Sequence, residues 1–113
     1  MPTAPDSSVP IVHIVSWRLN GASPEDRARQ STQILAAFHA TRAQVDGLLR
    51  FEAGQNVIDA ADAWDLAVVM VFSSRAALDA YQSHPSHLAI KALVGPMRSA
   101  RSQIDFELPQ QAS

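Results

Sequence analysis

The sequence predicts a small α+β domain with the element order β-α-β-β-α-β, and three observations predict it. Four segments alternate or concentrate β-branched and apolar residues as strands do: residues 11–19, 48–57, 65–72 and 97–108. Two segments, 24–46 and 74–94, carry helix-spaced apolar residues behind serine caps. Turn residues separate them, with no repeat, linker or low-complexity tract. This order is the ferredoxin-like split βαβ, an antiparallel sheet with its helices on one face. The bare opposite face calls for a partner, so the pattern points to a homodimer.

The chain has 113 residues, 47% of them hydrophobic and 18% charged, which suits one globular domain. We place it at residues 9–108, with 1–8 and 109–113 as flexible termini. A net charge of −2 gives no basic surplus for a phosphate backbone, so nucleic acid is not an expected partner. No apolar run approaches the roughly 20 residues of a membrane span, and residues 1–8 hold no Lys or Arg to open a secretory signal. The absence of Cys excludes disulfides, thiolate nucleophiles and Cys-based metal sites, and is compatible with the cytoplasm, the expected location.

In the first strand, Ile11, His13, Val15, Trp17 and Leu19 share one face. Ser23-Pro24-Glu25-Asp26 opens the first helix with a cap, a first-position proline and two acids. Ile34, Leu35, Phe38 and Val45 form its apolar side, and Gly47 stops the segment near residue 46. Gly54 inside the second strand suggests a bulge or a close backbone approach. Leu66, Val68, Met70 and Phe72 line one face of the third strand. Ser73 or Ser74 caps a helix through Tyr81, His84-Pro85 breaks it, and a further short helix covers Ser86–Val94 until Gly95-Pro96 ends it.

The strongest chemical signal is Tyr81-Gln82-Ser83-His84-Pro85-Ser86-His87. Imidazole suits proton transfer near neutral pH, and a phenol can donate to a carbonyl becoming an enolate. The same residues also suit a structural role, with His84 capping the helix before it and Tyr81 filling the core. His13 on its apolar face reads either as a satisfied core histidine or as a cleft group, and His39 as an ordinary side chain. No His-x-x-x-His pair accompanies Asp59, Asp62 and Asp65, so no metal site is expected.

These residues carry a family resemblance. Val12-His13-Ile14-Val15, Gly54-Gln55-Asn56, Val71-Phe72-Ser73-Ser74, the Tyr-x-x-His-Pro-x-His segment and Ile104-Asp105-Phe106 resemble the stress-responsive A/B barrel domain family. The resemblance implies a ferredoxin-like subunit paired into a dimeric α/β barrel. It also implies cofactor-free, metal-free chemistry of the kind a polyketide cyclase of that family performs. By that motif His87 is the base, Tyr81 the carbonyl-orienting donor and His13 a further pocket group. Val15, Trp17, Ile34 and Leu35 would wall the pocket together with Phe38, Val68, Met70 and His84. Trp17 is bulky enough to shorten that pocket, and Arg98 departs from what an apolar polyketide tail would favour. Three functions compete: a cofactor-free cyclase- or lyase-type enzyme on a small carbonyl substrate, a noncatalytic dimeric stress or binding protein, and a cofactor-independent monooxygenase.

Overall fold

The computed structural model describes residues 9–109. The chain runs β1 (Ile11–Leu19), α1 (Pro24–Thr41), a 3-10 turn (Arg42–Gln44), β2 (Leu48–Gln55), β3 (Leu66–Phe72), α2 (Arg75–Gln82), α3 (Pro85–Val94) and β4 (Arg98–Glu107). The four strands form one sheet in the order β2-β3-β1-β4, every pair antiparallel. This is the ferredoxin-like α+β arrangement. β1 and β3 are the two central strands, each hydrogen-bonded along both edges.

Register divides the sheet residues between two faces. His13 pairs with Met70 and Asp105, Val15 with Val68 and Gln103, and Trp17 with Leu66 and Arg101. These residues face the helices, where Val15, Trp17, Leu66, Val68, Met70 and Phe72 join Ile34, Phe38 and Ile90 in the core. On the opposite face Val12 pairs with Val71 and Phe106, and Ile14 with Val69 and Ile104. Ile104 and Phe106 keep 57% and 43% of their surface in solvent, so this second face carries apolar residues that no helix covers.

Two element ends differ from the sequence expectations by two residues or more, and one expected irregularity does not form. Helix α1 ends at Thr41 and not near residue 46. The Thr41 hydroxyl donates to the Ala37 and Phe38 carbonyls, the next turn tightens to 3-10, and Val45 is extended at φ −96°, ψ 109°. Strand β2 stops at Gln55, because the Asn56 side chain donates to the Ile58 carbonyl and closes a turn. Gly54 makes no bulge and meets no close backbone. It pairs regularly with Ala67, nothing lies within 4 Å of where its Cβ would stand, and the register shift falls between Leu48 and Arg50.

Gly47 is a glycine that the fold requires. Its φ is +77°, and an added Cβ would stand 2.7 Å from the Ala77 Cβ and 2.9 Å from the Ser73 Oγ. Its carbonyl also accepts from the Ser73 amide at 2.8 Å, joining the entry of β2 to the exit of β3. Gly47→Ala is therefore expected to cost about 2 kcal/mol, combining the left-handed penalty with a contact that must shift. Chemical denaturation checks it, and an unchanged midpoint would refute the constraint.

Candidate active site

The break between α2 and α3 builds the site. In a continuous helix Tyr81 and His87, six residues apart, would point about 120° from each other. Instead α2 ends at Gln82. The His84 amide donates to the Tyr81 carbonyl at 3.0 Å, and α3 restarts at Pro85. His84 is the cap of the helix that follows it, its Nδ1 accepting from the Ser86 amide at 3.0 Å. It is neither a cap for α2 nor a pocket group. The restart folds His87 back against Tyr81, with ring centroids 4.4 Å apart, and Tyr81 rests in turn on Phe72 at 5.3 Å.

Hydrogen bonds set the orientation of both histidines. The Gln82 carbonyl accepts from His87 Nδ1 at 3.0 Å, so Nδ1 carries the proton and Nε2 is left with its lone pair. Across the β1–β4 ladder, the Asp105 carboxylate accepts from His13 Nδ1 at 2.5 Å, and its second oxygen accepts from the Gln103 amide at 2.7 Å. His13 is 3% exposed and rests edge-on to Phe72 at 6.3 Å.

The surroundings tune the two groups oppositely, in the sense that acid–base work requires. Burial pushes the Tyr81 phenol up to about 12, so it stays protonated and able to donate. Burial also lowers the His87 pKa below its ordinary value. Its bond to the Gln82 carbonyl opposes this, while the charges of Lys91, His13 and Arg101 add to it. His87 is thus a neutral imidazole at neutral pH. The linkage follows in sign: the unfolded chain takes up this proton first, so stability attributable to His87 is full above about pH 6.5 and falls as the pH drops below it.

His13, Tyr81 and His87 line a single cavity of about 410 Å3 between the helices and the sheet. That volume is within the range of small-molecule sites, roughly 300–1,000 Å3. Val15, Trp17, Phe38, Val68 and Met70 supply apolar wall, as the resemblance implied. Trp17 lies against Phe38 at 5.7 Å and bounds the cavity without filling it. Besides His84, two expected wall residues are elsewhere. Ile34 is fully buried in the core, and Leu35 packs on the core beside it; neither reaches the cavity. His39 meets the edge of Phe51 at 5.3 Å, outside the cavity.

Sequence reasoning missed much of the wall. Gln82, Ile90, Lys91, Val94 and Gly95 come from the α2–α3 segment, and Arg98, Arg101 and Gln103 from β4. The period-two run Arg101, Gln103, Asp105 was the available signal, but only the β1–β4 register shows which face it takes. Among the described residues no group of three or more His, Asp or Glu side chains could hold a metal ion. Asp65 has structural partners, accepting from the Leu19 amide at 2.7 Å and facing Arg27 at 3.7 Å. No helix among the described residues is long and apolar enough to cross a membrane.

Comparison with known proteins agrees with this architecture. An uncharacterized protein of Streptomyces coelicolor is 32% identical over 83 residues, covering 74% of this chain and 84% of its own. A dimeric ferredoxin-like protein of unknown function from Thermobifida fusca superposes with a TM-score of 0.78 at 28% identity, over 96% of this chain and 99% of that one. The hydroxynitrile lyase of Passiflora edulis shares the fold, with a TM-score of 0.75 at 17% identity over 94% of this chain and 99% of its own. Residues 11–108 match the stress responsive A/B barrel domain, and the chain belongs to that family.

Proposed function

We propose that the cavity is a cofactor-free acid–base site acting on a small carbonyl compound. The observation that carries this reading is the close Tyr81–His87 ring contact, with a protonated phenol, a neutral imidazole and a free Nε2 beside one cavity. His87 Nε2 takes a proton from the carbon α to the carbonyl. The C–H electron pair becomes the enolate C=C, and the carbonyl oxygen, gaining charge, accepts a hydrogen bond from the Tyr81 hydroxyl. The enolate is then protonated again, as in an isomerase, or attacks a second carbonyl, as in an aldol-type cyclase. His13, steadied by Asp105, offers its second ring nitrogen to the same substrate.

Deuterium exchange tests the shared first step without knowledge of the natural substrate. The γ-keto acid 3-benzoylpropanoate and its methyl ester, incubated with the protein in D2O, are expected to lose the proton signal α to the ketone faster than buffer alone allows. No acceleration with either compound would leave the noncatalytic reading, in which Tyr81 and His87 only brace the α2–α3 break.

We also propose that the chain works as a homodimer, joined through the sheet face carrying Val12, Ile14, Val69, Val71, Ile104 and Phe106. Two exposed large apolar residues on an uncovered face support this, and so does the description of the Thermobifida fusca relative as dimeric. Ile104→Asp with Phe106→Asp is expected to turn a dimer into a monomer by analytical ultracentrifugation at micromolar concentration. A wild-type monomer, or a dimer that survives both charges, would refute the interface.

A further inference from the structure

The cavity wall has a charge distribution that proton abstraction alone does not require. Lys91, Arg98 and Arg101 line it, and no Asp or Glu does. Among the described residues none of these three cations lies within 4.0 Å of a carboxylate, although other arginines are paired: Arg27 with Asp65, Arg29 with Asp26 and Arg50 with Glu52. Asp105, on the same face of β4 at the histidine end, is held by His13 and Gln103. The clustering also runs against the chain as a whole, whose net charge is −2. Gathering like charges in a concave, partly dry space costs energy that an anionic ligand would recover. Arg101 registers this cost, since burial first and then Arg98 lower its affinity for its proton, opposed by the smaller effect of Asp105.

The positions also set a direction. Arg101 pairs with Trp17, and Asp105 pairs with His13. The cationic end is therefore displaced from the histidine end by four residues along β4, about 13 Å at strand rise before the side chains reach back. Arg98 lies further along the same strand, opposite Leu19.

Building on the acid–base reading of this cavity, we infer that its substrate is a small organic carboxylate, its anionic end held by Arg98, Arg101 and Lys91 and its ketone set several bonds away at Tyr81 and His87. A guanidinium presents a planar fork of donors that matches a carboxylate, and Lys91 adds a point charge. Neutral carbonyl compounds of equal size leave the three cations unpaired and bind less well.

Isothermal titration at low and at physiological salt, with 3-benzoylpropanoate and its methyl ester as probes, tests the inference without turnover. The acid is expected to bind at least about tenfold more tightly than the ester, a margin that added salt narrows. Arg98→Met and Arg101→Met, both on exposed positions of β4, should each reduce the margin, and the double variant should abolish it. Lys91→Gln should reduce it less. Equal binding of acid and ester, a margin that survives the double variant, or no binding of either probe would overturn the anion site. The two proposals fail separately. Selective binding of the acid with no deuterium exchange keeps the anion site and removes the acid–base chemistry. Exchange of the ester with no preference for the acid does the reverse.

Discussion

His87→Ala is expected to lower the protein-catalysed deuterium exchange of a bound ketone by about 10²–10⁴-fold, the usual worth of a positioned general base. His87 holds both properties a base needs here. Its Nδ1 proton is committed to the Gln82 carbonyl, which fixes the tautomer, and burial keeps the ring neutral at neutral pH. His87 is also 8% exposed and packed against Tyr81, so its removal leaves a small void. His87→Gln is therefore the companion variant. It keeps much of the volume and a hydrogen-bonding group but has no basic nitrogen, and it should be about as inactive as the alanine variant while remaining folded. A glutamine variant that retains near wild-type exchange would remove His87 from the chemistry and leave it a packing residue.

Tyr81→Phe is expected to lower exchange by about 10²–10³-fold, the range seen when one donor to a developing oxyanion is deleted. The substitution tests the hydroxyl alone. The ring contacts to Phe72 and His87 are kept and only the hydroxyl is removed. Stability should therefore change little, by well under the ~2 kcal/mol expected of Gly47→Ala. Burial pushes the phenol up to about 12, so Tyr81 is expected to remain the protonated donor through the neutral and mildly alkaline range. If Tyr81→Phe exchanges as fast as the wild type, the hydroxyl is a wet core group and the enolate must be stabilised by His13 instead.

The elements that position this site were legible where the signal is local. The β-branched run of β1, the Ser23-Pro24 start of α1 and the proline break before α3 each depend on residues within one turn of themselves, and each forms. The Tyr81–His87 pairing was likewise readable, because the break that creates it lies between the two residues. The site beyond that pair was not. Asp105 meets His13 only through a β1–β4 pairing that spans 92 residues of sequence. A one-residue slip of that register would send Arg101, Gln103 and Asp105 to the other face. The cationic wall depends on the same register, so Arg98 read as an awkward neighbour for an apolar tail when it belongs to a charged cluster. Ile34 and Leu35 were misplaced for a related reason. Helical spacing shows that a side faces the core, but not which part of that side the α2–α3 segment covers and which part borders open space.

The pH dependence of ketone exchange, measured on the folded wild-type protein and on His87→Gln, bears most directly on whether this cavity performs acid–base chemistry. The wild-type rate should rise through one ionisation below the ordinary histidine value of about 6.5, then hold level well into the alkaline range because Tyr81 does not ionise there. The rise should vanish in His87→Gln. A wild-type profile that tracks buffer-catalysed exchange, or one that survives the substitution unchanged, would contradict the assignment of His87 as the base.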